Sequence, residues 1–333
     1  MQPLLDFQHS FFMKKQLFLA LSFAAFMHIQ AQKMYVNLYG GYSMPTTKES
    51  FASPNFTQIQ YATNNNTIQK ESDELIATTL GGGSQVGAAF GYQLTEHFAL
   101  ELGAHYLNGT TQKARGEVFI NYGSSAPTRL SHVDVDIQRK STQLRLAPAV
   151  VIRGGGMFKI LYPYARFGLI MPVNGKTISE VNKHFTHPDT VVMLLHLTND
   201  SSVYSKYETH GQVNIGLQSA LGFQVKLGIF GAFIEVAHQA LSIRADKTDL
   251  IQYTRYGKDA MSLLPEYEKH TEYLDKVTST NNNVVYNPDA FIDPNLNNDD
   301  PYEGEGYKSP KQDLRIVGQY SNIGVNIGVQ VRF

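Results

Sequence analysis

The sequence predicts an all-β protein: an eight-stranded antiparallel up-and-down transmembrane β-barrel with long extracellular loops. Three observations predict it. Segments with period-two alternation recur along the chain, the connections between them alternate short and long, and the chain is poor in charge. Charged residues make up 17% of the sequence, against about 25% in an average soluble domain, so much of the surface need not face water.

The N-terminus reads as an export leader. Met13-Lys14-Lys15 is a positive n-region, 17–29 is apolar, and Ile29-Gln30-Ala31 offers a small-residue cleavage site. The apolar run is short of the about 20 residues that a spanning helix needs. Residues 1–12 precede the better start at Met13. The expected division is therefore an N-terminal extension and signal peptide over 1–31, removed on export, and one barrel domain over 32–333.

Each strand is recognised by two unlike faces. In the first, Met34, Val36, Leu38 and Tyr42 oppose Tyr35, Asn37 and Tyr39. In the second, Val86, Ala88, Phe90 and Tyr92 oppose Gln85, Gly87, Ala89 and Gly91. The third sets Phe98, Leu100, Leu102, Ala104 and Tyr106 against Glu101, Gly103 and His105. The fourth sets Leu144, Leu146, Pro148, Val150 and Ile152 against Gln143, Arg145 and Ala147. In the fifth, Leu161, Ala165, Phe167, Leu169 and Met171 oppose Tyr162, Tyr164 and Arg166. The sixth runs from Val213 to Val225, with Gln218, Gly222 and Gln224 on its polar face. The seventh sets Ala232, Ile234 and Val236 against Gly231, Phe233 and Glu235. The last is the clearest: Ile323, Val325, Ile327, Val329, Val331 and Phe333 oppose Asn322, Gly324, Asn326, Gly328, Gln330 and Arg332.

The connections at 95–97, 153–156 and around 227–228 are tight, and Gly favours such turns. Those at 45–83, 109–134, 174–206 and 246–313 are long, the rhythm of short periplasmic turns and longer extracellular loops. A soluble barrel also alternates. Here, however, the polar face is Gly, Asn and Gln with single charges, which suits a narrow interior better than a solvated exterior. Phe98, Tyr106 and Phe333 lie near strand ends, as an interfacial girdle would.

A leader, eight such strands and a last strand ending in Val331-Arg332-Phe333 resemble the small outer-membrane β-barrel family, the group similar to the OmpA transmembrane domain. The resemblance rests on pattern over residues 33–333. It implies the bacterial outer membrane as location and outer-membrane lipid and lipopolysaccharide as surroundings. It also implies that Phe333, with Val331 and Val329, is read by the barrel-assembly machinery. One departure is that no periplasmic peptidoglycan-binding domain is expected after the barrel.

Four charges fall on inward faces: Glu101, Arg145, Arg166 and Glu235. An eight-stranded barrel leaves room only for side chains, and a buried charge must be paired. The expectation is an ion-pair network that plugs the lumen, with a partner-swapping gate as the alternative. Loss of Glu101 or Arg145 should then disturb folding more than transport.

The loops hold the other candidates. Pro265 followed by Glu266 and Glu268 predicts a short helix reaching towards Val277. The acidic, Asn-rich run at 293–300 invites a calcium reading but fails the EF-hand spacing, with Asn298 where Gly is needed and Gly304 where Glu is needed. Ser131, His132, Asp134, His184, His187 and His210 are rim candidates for catalysis, and none has a spacing that forces a triad.

No cofactor or metal is expected. The absence of Cys removes disulfides, thiolate ligands, Cys nucleophiles and a lipoprotein anchor. The net charge of −1 gives no reason to expect nucleic acid. The functional expectation is a structural or surface-interaction barrel, not an enzyme, with an extracellular ligand engaged through the loops. A narrow porin-like channel is the alternative, ahead of a rim lipid-modifying enzyme.

Overall fold

The computed structural model describes residues 33–46, 55–61, 67–74, 79–121, 130–156, 160–186, 200–276, 285–286, 302–303 and 311–333. The leader, His187, the Asn run at 281–283 and the acidic run at 293–300 lie outside these residues.

Eight strands form the barrel: β1 (Met34–Pro45), β2 (Gly83–Gln93), β3 (Phe98–Gly109), β4 (Leu130–Arg153), β5 (Leu161–Thr186), β6 (Gly216–Leu227), β7 (Phe230–Ala240) and β8 (Asn322–Arg332). Each pairs antiparallel with the next. β8 returns to β1 in the register Asn37↔Gln330 and Gly41↔Asn326, which closes the sheet. The Phe333 amide adds a bond to the Met34 carbonyl at 3.0 Å. Closure leaves no unpaired barrel edge, as a sheet in lipid requires.

The barrel is inside out relative to a soluble domain. Along β8, Ile327 is 64% exposed while its neighbour Asn326 is 2% exposed. Phe90, Leu102, Phe167, Leu221, Phe223 and Ile234 extend the outward apolar belt around the other strands. The eleven residues of β8 span about 25 Å along the axis at a strand tilt of ~40°, the height of a hydrocarbon core. Phe98, Tyr106 and Phe333 are exposed on the same outer surface.

The tight connections at 94–97 and 228–229, and the end of β4 at Arg153, share one end with Met34 and Phe333. Gly228 has φ 66°, a left-handed turn position at which Gly carries little steric cost.

The opposite end refines two expectations. The long connections are not only loops. Gln112–Asn121 pairs with the outer part of β4, and Asp200–Gly211 pairs with both the outer part of β5 and Ser242–Arg255. His270–Leu274 and Lys311–Leu314 add further pairings. The helix expected towards Val277 is one turn, Glu266–Lys269, after which His270–Leu274 is strand.

β4 shows how one strand serves both environments. Between Gln143 and Ile152 its inward side chains include buried Gln143 and Arg145, and its outward ones include exposed Leu144, Val150 and Ile152. Beyond Ser141 the pattern reverses. Val133, Val135 and Ile137 are buried with Ala114, against Val118, Val181 and Phe185, while Asp136 and Gln138 face out. This reversal marks where the outward apolar belt ends. In β5 a bulge at Val173 shifts the pairing from Arg145↔Pro172 to Leu144↔Asn174. The extra residue moves the inward face from even positions (Arg166, Ile170) to odd ones, such as Thr177.

Candidate functional site: the filled lumen and its cap

The inner faces of the eight strands deliver a continuous column of polar side chains. Arg166 of β5 lies between two carboxylates, Glu101 of β3 and Glu235 of β7. Its Nη1 is 3.5 Å from Glu101 Oε2, and its Nη2 donates to Glu235 Oε1. All three side chains are at least nine-tenths buried. Neutral donors add to the ion pairs, although Glu101 Oε2 accepts no hydrogen bond. The Tyr35 hydroxyl donates to Glu101 at 2.8 Å and the Asn37 amide at 3.0 Å. Tyr164 and Asn326 each donate to Glu235 at 2.8 Å. From there Gln85 bonds Asn326 at 2.7 Å, and Gln330 links Asn37 to Gln224. Buried charges with this many partners are held in one geometry.

Aromatic rings fill what the amides leave. Tyr39 and Phe233 pack at 6.4 Å between ring centroids, Tyr164 meets Phe233 edge-on, and the Arg153 guanidinium lies 4.5 Å from the Tyr35 ring centre. Glycine on neighbouring strands makes room: a Cβ at Gly91 would overlap the Tyr35 ring, and one at Gly328 would overlap Phe233. Gly91→Ala should therefore displace Tyr35 from Glu101 and cost about 1–3 kcal/mol. Urea unfolding in detergent micelles would show it, with Gly155→Ala, where the added Cβ meets nothing within 4 Å, as the near-neutral control. A hollow beside Asn37, Glu101, Tyr164 and Gln330 measures about 10 Å³, at the lower limit for a single water.

Three of the four inward charges expected from the sequence thus form one cluster. Arg145 does not join it. It is completely buried, but its Nε donates to Gln143 at 2.9 Å and its Nη1 to Gln239 at 2.6 Å, and Nη2 has no partner. The register explains the separation. Arg145 faces His105, whereas Glu101 faces Ala149, a shift of four residues or roughly 13 Å along the strand.

A second closure lies above Arg145. Leu80, Ile170, Leu241, Ile243 and Tyr320 pack into an apolar cap at the barrel end opposite Met34 and Phe333. Thr177 and the Tyr320 hydroxyl bond at 3.0 Å, and the Leu80 amide is held by the Gln319 carbonyl. Strand periodicity could not reveal this cap, because Leu80, Leu241 and Tyr320 lie outside the barrel strands. Beyond it is a cavity of about 310 Å³, bounded by cap residues and by Arg139, Tyr207, His210 and Tyr273. Lys176 at the rim bonds Glu208 at 2.8 Å and holds its carboxyl below the usual range.

Among the rim candidates for catalysis, His210 Nε2 is 3.0 Å from Glu208 and His132 Nδ1 is 3.7 Å from Asp134. His184 lies opposite Asp134 in the strand register. The Ser131 side chain is outside the described set.

No protein-family model matches the chain. No curated protein matches it either. Among solved structures the chain is similar to the outer membrane protein OprG from Pseudomonas aeruginosa, at 10% sequence identity and a TM-score of 0.36, over 91% of this chain and 97% of that one. The architecture accordingly rests on the closed register and on the exposure of the two barrel faces: this is an eight-stranded transmembrane β-barrel whose lumen holds a buried ion-pair cluster.

Proposed function

We propose that this chain is a bacterial outer-membrane barrel that displays an extracellular β-structure for surface interaction and does not conduct solutes. The observation that carries the reading is the double closure, with the Glu101–Arg166–Glu235 cluster inside the membrane and the Leu80–Tyr320 cap at its mouth. A channel would need Arg166 to release both carboxylates, leaving each buried without its counter-charge. The extension of β4 and β5 past the membrane boundary adds nothing to spanning, and it carries its own apolar core. Material built outward in this way serves contact with matrix, lipopolysaccharide or a partner protein. The barrel itself would be the platform, with Phe333 as the assembly signal.

Adhesion of cells expressing the protein to immobilised matrix proteins and lipopolysaccharide tests this reading. A variant with 112–139 replaced by a short turn should keep the heat-modifiable migration of a folded barrel and lose the adhesion. Adhesion equal in the two, or solute uptake into wild-type proteoliposomes, would overturn it.

A further inference from the structure

The outward face of the extracellular sheet carries a row of side chains that the plug and cap do not use. Gln112–Asn121 and β4 set residues opposite one another in the order Lys113↔Gln138, Arg115↔Asp136, Glu117↔Asp134 and Phe119↔His132. In the second row the charges match, with Arg115 Nε 3.4 Å from Asp136. In the third row two carboxylates face each other directly. Like charges in such a pair destabilise a sheet, unless a cation lies between them. No Lys or Arg occupies that row: β5 continues it with His184 opposite Asp134.

Imidazole stands where the cation would be coordinated. His132 is on the Asp134 face two residues away, and its ring is stacked on Phe119 with a centroid separation of 4.8 Å and an interplanar angle of 16°. Its Nδ1 lies 3.7 Å from the Asp134 carboxylate, and its Nε2 has no hydrogen-bond partner. One ligand atom each from Glu117, His132 and Asp134 lies within 4.8 Å of the others. All three residues are partly buried, so the site is open to solution but shielded on one side. A modest closure of these groups reaches the spacing of a zinc coordination shell.

The geometry points to a site for a borderline divalent transition metal of the Zn²⁺ class, held by Glu117, His132 and Asp134, with His184 placed by the register to supply a fourth donor. Imidazole among the donors selects against Ca²⁺, which takes six to eight oxygens. The ion would neutralise the opposed carboxylates and staple Gln112–Asn121 to the barrel strands. The site goes beyond surface display, and it would exist whether the lumen conducts or not.

Calorimetric titration of the folded barrel in micelles with Zn²⁺ tests the assignment. The expected result is one saturable site per chain, undisturbed by excess Ca²⁺. Glu117→Gln, His132→Ala and Asp134→Asn should each weaken binding by at least about tenfold. Asp136→Asn, one row away, should leave it unchanged. Heat-modifiable migration verifies that every variant has a folded barrel. No saturable Zn²⁺ binding would overturn the site. Binding that survives His132→Ala, or that Ca²⁺ displaces equally well, would overturn it too.

Discussion

Replacing Arg166 by methionine should destabilise the barrel by about 3–5 kcal/mol, because it strands two buried carboxylates. Glu101 and Glu235 have side chains only 4% and 0% exposed, so neither can recover its lost partner from water. Equilibrium unfolding in urea with detergent micelles would measure the loss. Most of it should disappear when Glu101→Gln and Glu235→Gln are already in place, since the neutral amides no longer need a counter-charge. An unchanged loss in that background would mean that Arg166 acts by packing alone. Arg145→Met should behave differently. Its bonds are to the amide oxygens of Gln143 and Gln239, and no carboxylate is paired with it. Its removal should cost less than about 2 kcal/mol, even though Arg145 is the most fully buried of the four charges.

Val135→Asp should unfold the sheet beyond the barrel and spare the barrel itself. Val135 is 6% exposed and packs with Ala114, Val133 and Ile137. An unpaired carboxylate there costs several kcal/mol. The barrel strands between Gln143 and Ile152 depend on lipid contact and lumen bonds instead. The expected result is rapid proteolysis within 112–139 on intact cells, with heat-modifiable migration unchanged. Loss of the folded barrel band would show that the two parts form a single cooperative unit.

The membrane strands were legible because a narrow barrel in lipid forces alternation on each of them, with a polar inner face that a soluble sheet would not bury. Asn322 to Arg332 is the plainest example: every second residue is Gly, Asn, Gln or Arg. The outer part of β4 alternates just as regularly, yet its strand character is not legible from the sequence. In β4 the run Val133-Asp134-Val135-Asp136-Ile137 alternates, but with its apolar side on the inner face, out of phase with the strand that follows. In β5 the bulge at Val173 changes the parity of the inner face, so a strand followed by even positions ends at Met171. The helix predicted after Pro265 stops at Lys269 because β pairing of His270–Glu272 with Lys247–Asp249 outweighs the local preference.

The site was legible by face and not by height. Glu101, Arg145, Arg166 and Glu235 all point inward, as alternation requires. Which of them meet depends on strand stagger, a long-range quantity that no single strand encodes. Stagger brings Arg166 to both carboxylates and lifts Arg145 to the level of His105. Tyr35, Tyr39 and Phe233 complete the plug through glycines on neighbouring strands, a complementarity visible only once those strands are paired.

The proposed plug and cap predict a closed lumen. Planar-bilayer recording of the purified wild-type barrel tests it most directly. A plugged lumen predicts a quiet baseline without stable conductance steps. Large, stable pores in the wild-type protein would contradict it.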